Sequence, residues 1–239
     1  RRILGNGTRP QEWSPELPAI RAAFLAEPPG VEGMSIGRSD FFYKLVRGIG
    51  NPCFRAIYRI LIEGRENLPP AGPGILLPKH QYWTDIPVVA LAAWRPVSYI
   101  AKQELFLYPG VKHFLTLLGG IPLDRGNPVK TLDSFRRLDQ LLKDKEFVVL
   151  FPEGTYYPGC MGEGKHRLIE RILRVQEKME RGEGREIPFI PVGIRYRGGK
   201  GRTEVRVRIG KPLRSDGKGD AREFTGTLLA EIARLSGLA

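Results

Sequence analysis

The chain has 239 residues, of which 41% are hydrophobic and 27% charged, and these proportions exclude wholesale disorder, a collagen-like fibre and a polytopic membrane protein. The 38 Lys and Arg residues outnumber the 26 Asp and Glu residues, so the net charge is +12 and an anionic partner is expected: nucleic acid, a membrane surface or a phosphorylated substrate. Two cysteines and three histidines argue against a disulfide framework or a Cys/His metal site, and favour a reducing compartment.

The N-terminal part divides into two stretches of different composition. Residues 1–39 are rich in Pro and Gly and predict an extension with one short helix at 15–26. Residues 40–63 carry apolar side chains at helical spacing with Lys and Arg between them, and Gly50-Asn51-Pro52 is predicted to divide them into two amphipathic helices. Such helices would dock on an anionic membrane surface. Since the chain begins at Arg1 without a signal-like apolar stretch, we expect a trimmed N-terminus.

Residues 64–239 alternate between predicted strands and predicted helices. Strands are predicted at 74–78, 97–101, 147–151, 187–196 and 205–209, and helices at 86–94, 110–118, 128–143, 165–181 and 221–235. This alternation indicates one α/β domain whose mixed, partly parallel sheet is flanked by helices. The proline in Ile190-Pro191-Val192-Gly193-Ile194 predicts an edge or bulge position for that strand.

The segment from Lys79 to Pro87 directly follows the apolar strand at 74–78. In a continuous helix His80 and Asp85 would lie about 140° apart, so they can interact only if His80 lies in the loop. Pro87 suits a first helical turn, which makes Thr84 or Asp85 the N-cap. The loop can then fold His80 back, so that Asp85 accepts one ring N–H and the other nitrogen is left as a base. On spacing alone, a capping aspartate beside a surface histidine explains the same residues.

Two further segments carry candidate binding residues. The strand at 147–151 runs directly into Glu153, and ligands of α/β sheets gather beyond the carboxyl ends of strands, where His80 also lies. A solvated turn carboxylate explains Glu153 equally well. The glycine-flanked turn at 119–126 presents Arg125, whose guanidinium could bind a phosphate or form a surface ion pair.

In order and spacing, four of these segments resemble the sequence blocks of the glycerolipid acyltransferase family, which includes the lysophosphatidic acid (1-acylglycerol-3-phosphate) acyltransferases. The His-x-x-x-x-Asp block of that family is similar to His80–Asp85, and its Phe-Pro-Glu-Gly block is similar to Phe151–Gly154. Its arginine-bearing block resembles Ile121–Gly126, and its proline block resembles Ile190–Ile194.

The resemblance implies acyl transfer from acyl-CoA or acyl carrier protein to the free hydroxyl of a lysophospholipid. The expected acceptor is 1-acylglycerol-3-phosphate and the product phosphatidic acid. His80 is then the general base, Asp85 orients it, and Arg125 binds the acceptor phosphate. The acceptor itself would be held by Glu153, Gly154 and Thr155. The resemblance implies no metal and no cofactor beyond the acyl donor.

One departure from the family pattern bears on the acceptor. The family commonly carries Arg-Ser after Glu-Gly-Thr, whereas this chain has Tyr156-Tyr157-Pro158. Either other cations hold the phosphate, with Lys165, His166 and Arg167 nearest in sequence, or the acceptor is another lysolipid, such as an ornithine lipid or glycolipid precursor.

The alternative outside the class is a basic nucleic-acid-binding protein. The sequence contains no zinc finger, aromatic RNP strand or glycine-rich KH loop, and the mixture of basic and apolar residues at 41–61 fits a bilayer better. Gly159–Lys165 has the spacing of a phosphate-binding loop, but His166 stands where Ser or Thr would ligate magnesium. We therefore expect no nucleic-acid partner but a monotopic protein on the cytoplasmic face of a membrane. Its predicted parts are an extension (1–39), membrane-docking helices (40–63) and an acyltransferase domain (64–239).

Overall fold

A computed structural model of the protein describes residues 39–123, 128–183, 187–198, 201–215 and 220–238. The predicted extension lies outside these residues apart from Ser39, and its helix at 15–26 lies wholly outside them. Arg125, the predicted phosphate ligand, also lies outside the described residues.

Helices and strands alternate along most of the described chain. The helices are α1 (Asp40–Ile57), α2 (Asp85–Ala92), α3 (Pro109–Leu117), α4 (Pro128–Lys143), α5 (His166–Glu183) and α6 (Ala221–Ser236). The strands are β1 (Tyr58–Glu63), β2 (Gly74–Pro78), β3 (Val97–Lys102), β4 (Gly120–Leu123), β5 (Phe147–Val149), β6 (Phe189–Arg197) and β7 (Thr203–Ile209). Short 3₁₀ turns lie at Arg65–Asn67 and Gln103–Phe106. Of the helices in these described ranges, none is both long and apolar enough to cross a membrane.

The seven strands form one sheet in the order β1-β7-β6-β2-β5-β3-β4. Neighbouring strands are parallel except for β6 and β7, which are antiparallel. The predicted mixed, partly parallel sheet flanked by helices is therefore confirmed, and most of its strand pairs are parallel. Because β2, β5 and β6 run in the same direction, their carboxyl ends meet at one edge of the sheet.

Both faces of the sheet are covered by apolar side chains. Leu76 of β2 packs with Val88 and Val89 of α2 on one face, while its neighbours Ile75 and Leu77 point to the opposite face. Helices α4, α5 and α6 cover that second face with Leu138, Leu142, Ile169, Ile172, Leu228 and Ile232. Each such fully buried side chain stabilises the fold by about 2 kcal/mol. This packing explains why the strand at 74–78 reads as continuously apolar.

The predicted pair of helices at 40–63 is wrong. Helix α1 continues through Pro52 to Ile57, and residues 58–63 form strand β1, which pairs in parallel with β7 at the sheet edge. A proline removes one N–H, whose usual acceptor four residues back is the carbonyl of Gly48. Pro52 and Gly48 are both exposed, so water can satisfy that carbonyl and the helix is not interrupted. Residues 58–63 therefore belong to the sheet.

Of the edge or bulge position predicted for Pro191, the edge is wrong, because β6 lies between β7 and β2 in the interior of the sheet. The bulge agrees with the pairing, since residues 190–191 face the three residues 210–212 between two antiparallel pairs. Pro191 pairs with Leu77 of β2, and its carbonyl accepts a hydrogen bond from the backbone N–H of Gly210 at 2.8 Å. The missing N–H of Pro191 would point, like its carbonyl, toward the β7 side. The regular antiparallel pairing of β6 and β7 begins only at the next residue, with Val192 and Ile209. A proline is tolerated here because the ladder with β7 ends at this residue.

The turn predicted at 119–126 is partly a strand. Gly120–Leu123 form β4, which pairs in parallel with β3 at the other edge of the sheet. Pro122 lies in this edge strand, where a missing N–H is tolerated.

Candidate active site

Two loops and the end of one strand meet at the carboxyl edge of β2, β5 and β6. The first loop, residues 79–84, connects β2 to α2, and the second, residues 150–165, connects β5 to α5. Because β2 lies between β5 and β6 in the sheet, the side chains that follow these strands converge. The sequence places His80 in the first loop and Glu153 in the second.

His80 and Asp85 form a hydrogen-bonded pair. The ring Nδ1 of His80 lies 3.1 Å from Oδ2 of Asp85, whose carboxylate is fully buried. An ionised carboxylate can only accept, so Nδ1 carries the hydrogen and Nε2 keeps the lone pair of a base. The contact expected from a folded-back loop is thus present, and the arrangement gives His80 the tautomer that general-base chemistry needs.

Asp85 also fastens the loop that carries His80. Its Oδ2 accepts backbone N–H groups from Gln81 and Tyr82, and its Oδ1 accepts the hydroxyl of Tyr196 at 2.7 Å. Thr84 occupies the N-cap position of α2, but its side chain makes no capping hydrogen bond. The Asp85 carboxylate thus holds the turn that precedes α2 and does not cap the helix. The hydroxyl of Tyr196 also contacts Thr84 Oγ1 at 2.9 Å.

The hydroxyl of Tyr196 stays protonated where the protein is folded. Burial raises the pKa of Tyr196 far above its ordinary value of 10.0, and the nearby charge of Asp85 raises this pKa further. Tyr196 therefore serves Asp85 as a neutral donor throughout the neutral and mildly alkaline range.

The imidazole of His80 lies between two aromatic rings. Phe151 stacks on it at a centroid distance of 3.7 Å and an interplanar angle of 22°, and Tyr156 lies on it at 4.3 Å and 57°. Only 11% of the His80 side chain is exposed, while Tyr156 is about half exposed. Burial, followed by the charge of Asp85, raises the pKa of the Tyr156 hydroxyl. The two rings restrict rotation of the imidazole plane.

Glu153 is fully buried beside His80 and pairs with Lys79, which is also fully buried. The predicted acceptor-binding role of Glu153 stays a prediction, because its carboxylate faces Lys79 and the backbone of both loops. Gly154 follows in the left-handed region, with φ of 69°, which favours glycine, and Thr155 is exposed.

The two further cations predicted to hold the acceptor phosphate lie at the start of α5. Lys165 and Arg167 are both exposed, and the backbone N–H of Lys165 bonds to the carbonyl of Pro152 at 2.9 Å. This bond places the helix start beside the segment that carries Glu153. Arg167 lines a surface groove between α5 and the start of α6, with Glu170, Arg174 and Arg222 among its other residues.

Three side chains of the site carried no prediction: Lys79, Gln81 and Tyr196. Gln81 joins two segments, since its Nε2 donates to the carbonyl of Ile194 at 2.8 Å and its Oε1 accepts the N–H of Gly159 at 3.0 Å. A lysine placed directly after an apolar strand is a signal that could have been used for Lys79. Tyr196 gives no such signal, because it ends a strand that is distant in sequence.

An aromatic cluster borders the dyad. Tyr82 and Tyr58 contact Tyr196 edge-on at centroid distances of 5.0 and 6.5 Å, and Phe54 contacts Trp83 at 6.3 Å. Trp83 is 65% exposed. The cluster therefore extends from α1 to the loop that carries His80. Among the described residues, His, Cys, Asp and Glu form no group of three that could hold a metal ion.

Residues 59–195 match the model of a protein family described as Acyltransferase. The chain is 35% identical over 162 residues to a chloroplastic 1-acyl-sn-glycerol-3-phosphate acyltransferase from Arabidopsis thaliana, covering 65% of this chain and 44% of the relative. It is 26% identical over 145 residues to a lyso-ornithine lipid O-acyltransferase from Pseudomonas aeruginosa, covering 61% of this chain and 50% of the relative. The chain thus spans about half the length of these relatives or less.

A solved structure has the same fold. The 1-acyl-sn-glycerophosphate acyltransferase PlsC from Thermotoga maritima superposes with a TM-score of 0.59 at 24% sequence identity, covering 81% of this chain and 79% of that one.

Proposed function

The chain belongs to the acyltransferase family, and on that premise we propose that it moves a fatty acyl group from acyl-CoA or acyl carrier protein to the free hydroxyl of a lysophospholipid. The observation that carries this proposal is the dyad at the carboxyl edge of the sheet, in which Asp85 holds Nδ1 of His80 and leaves Nε2 free. A hydroxyl is a weak nucleophile at neutral pH, so a positioned base is what this reaction needs.

In the proposed reaction, Nε2 of His80 takes the proton of the acceptor hydroxyl while the oxygen attacks the thioester carbonyl carbon. The tetrahedral intermediate collapses with cleavage of the C–S bond, and the imidazolium returns the proton to the leaving thiolate. The products are the ester and a free thiol. Asp85 stabilises the imidazolium and fixes its orientation, while Phe151 and Tyr156 restrict the ring plane. The proposal calls for no cofactor beyond the acyl donor.

We propose 1-acylglycerol-3-phosphate as the acceptor and phosphatidic acid as the product. The name of the Arabidopsis relative supports this choice, as does the net charge of +12. Arg125 is the proposed phosphate ligand, and Lys165 and Arg167 are further candidates for the same role. The start of α5, where these two cations lie, itself favours anions. Gly154 and Thr155 remain proposed acceptor-binding residues by the family pattern, whereas the carboxylate of Glu153 is paired with Lys79.

A second acceptor class is favoured by Tyr156. This residue stands where the family commonly has arginine, and its ring lies on the imidazole of His80, so the cation expected there is replaced by an aromatic surface. A different lysolipid, such as a lyso-ornithine lipid, would then be the acceptor, and the name of the Pseudomonas relative supports this alternative.

The two acceptors are separated by product analysis. Purified protein is incubated with acyl-CoA or acyl carrier protein thioesters and a panel of lysolipids, and products are identified by mass spectrometry. Phosphatidic acid formation is expected. Arg125→Ala should raise KM more for a phosphorylated acceptor than for an uncharged one, because a charge-assisted contact to phosphate is worth about 1.5–3 kcal/mol. Equal losses for both acceptors would exclude Arg125 as the phosphate ligand. The same equality for Arg125→Ala, Lys165→Ala and the pair together would remove 1-acylglycerol-3-phosphate as the substrate.

We further propose that α1 docks the protein on the anionic cytoplasmic face of a membrane, with no nucleic-acid partner. Phe41, Leu45 and Ile49 are spaced four residues apart on α1, and they expose 78%, 47% and 62% of their surface. Lys44 and Arg55 on the same helix are exposed too. Apolar side chains would enter the bilayer while the cations meet anionic headgroups. Tighter binding to DNA than to anionic vesicles would contradict this proposal.

A further inference from the structure

A buried ion pair joins the two loops of the site. Lys79 Nζ lies 2.8 Å from Oε1 and 2.7 Å from Oε2 of Glu153, and neither side chain is exposed to solvent. Removing two charges from water is unfavourable unless good geometry and further hydrogen bonds compensate for it. The other hydrogen bonds of this pair therefore indicate what the pair does.

The pair forms hydrogen bonds with both polar groups of the His80 main chain. Oε1 of Glu153 accepts the N–H of His80 at 3.0 Å, while Lys79 Nζ donates to the carbonyl of His80 at 3.1 Å. The same ammonium donates to the carbonyl of Tyr157 at 2.9 Å, and the N–H of Tyr157 bonds in turn to the carbonyl of His80 at 2.9 Å. Both polar groups of the His80 main chain are thereby fixed to the second loop.

The carboxylate of Glu153 has no acceptor site left for a substrate. Oε1 accepts from Lys79 and His80, and Oε2 accepts from Lys79 and from the N–H of Gly162 at 2.7 Å, so four contacts from three donor groups surround the carboxylate. Glycine at position 162 suits this contact, because a Cβ there would lie 2.2 Å from ring atoms of Tyr157 and would force that ring to move. A lysolipid hydroxyl could reach Glu153 only by displacing one of these donors.

We infer that Lys79 and Glu153 are positioning residues, which set the place of His80 by holding its backbone, and that Glu153 does not contact the acceptor. The inference rests on the proposed function, since it assigns their effect to the base of that reaction. In this arrangement the Asp85 carboxylate fixes the ring of His80 and the ion pair fixes its main chain. Displacement of a catalytic group by about 1 Å lowers turnover by about a hundredfold.

The test compares the full-length protein with Lys79→Met, with Glu153→Gln and with both changes together. Lys143→Met, which removes the lysine of a surface pair with Asp139, serves as the matched control. Three readouts are taken: acceptor kinetics, melting temperature, and the NMR resonance of the Nδ1 proton of His80. A hydrogen bond to a carboxylate shifts this resonance downfield, and His80→Ala identifies it among only three histidines.

Each single variant should lower kcat by about a hundredfold with acceptor KM changed less than about threefold, and should weaken the Nδ1 resonance. Each also leaves one buried charge without its partner and should melt at a lower temperature. The double variant is neutral at this position, so it should fold, melt above the less stable single variant and regain part of kcat. Lys143→Met should resemble the wild type in all three readouts.

A raised acceptor KM in Glu153→Gln, with the Nδ1 resonance intact and Lys79→Met inert, would overturn the inference and make Glu153 an acceptor ligand. Wild-type protein that transfers no acyl group from any donor would instead overturn the proposed function. In that case the melting temperatures and the Nδ1 resonance still decide the inference. Retention of both in the single variants would refute it.

Discussion

Replacing Asp85 by asparagine removes one negative charge from the site and keeps the shape of the side chain. The remaining amide oxygen can take the place of Oδ2, where it still accepts the N–H groups of Gln81 and Tyr82. The amide nitrogen then faces the hydroxyl of Tyr196, which can accept from it. The loop therefore keeps its hydrogen bonds while His80 loses its charged partner.

The expected change in stability is small because two effects oppose each other. Four hydrogen bonds, those to His80, Gln81, Tyr82 and Tyr196, change from charge-assisted to neutral, which weakens each by about 1 kcal/mol. Against this, a fully buried carboxylate no longer has to be desolvated, which is worth several kcal/mol. We expect the unfolding free energy to change by less than about 2 kcal/mol, which corresponds to a melting shift below about 8 °C for a domain of this size.

The expected change in activity is large. Without the carboxylate the imidazolium is not stabilised and the Nδ1–H tautomer is not enforced. The same exchange in a Ser-His-Asp triad lowers kcat by about 10⁴, so we expect a loss of about 10³ to 10⁴ here. The assay is thioester consumption with a saturating lysophospholipid acceptor, run beside a thermal melt of the same preparation.

Two control variants separate the roles of Asp85. Asp85→Ala leaves two backbone N–H groups without an acceptor, at about 1–3 kcal/mol each, so it should melt well below Asp85→Asn. Asp220→Asn changes an exposed capping aspartate of α6, whose side chain accepts the N–H of Arg222, and should leave the rate unchanged. Less than a tenfold loss of kcat in folded Asp85→Asn would refute the view that this carboxylate orients His80.

Tyr196→Phe should lower the unfolding free energy by about 1–3 kcal/mol at about pH 8. Because the folded-state pKa of Tyr196 is raised, the wild type loses this advantage as the unfolded chain ionises, so denaturant titrations should show the difference shrinking above about pH 10. Gly154→Ala should destabilise by roughly 1–2 kcal/mol in such titrations because φ is 69°, whereas Gly182→Ala, in open helix surface, should stabilise by up to about 1 kcal/mol. Phe41→Ser with Ile49→Ser should reduce flotation with anionic vesicles at unchanged melting temperature; undiminished flotation would show that α1 is not the docking element.

Local patterns were sufficient for much of the sheet. Strands such as 74–78 are apolar on both faces and bounded by Gly or Pro, so the local sequence is enough to identify them as buried strands. For His80 and Asp85 the spacing left two interpretations open, and the resemblance to the family favoured the contact that the structure contains.

The errors arose where distant segments decide the structure. Residues 58–63 continue the apolar pattern of α1, and only their pairing with β7, almost 150 residues later, makes them a strand. Pro191 is tolerated inside the sheet because the regular pairing with β7 ends there, and the local sequence does not show where that pairing ends. Tyr196 reaches Asp85 across 111 residues, and Lys79 meets Glu153 across 74, so neither contact has a local signal.

The most direct test of the account is the turnover of His80→Ala, with thioester and lysophospholipid, beside His113→Ala as the matched control. His113 is an exposed residue of α3. Loss of a general base lowers kcat by about a hundredfold or more, and we predict that loss for His80→Ala in a protein that melts within a few degrees of the wild type. The His113→Ala protein should turn over at the wild-type rate. Near-normal acyl transfer by folded His80→Ala would contradict the central claim that this imidazole is the base.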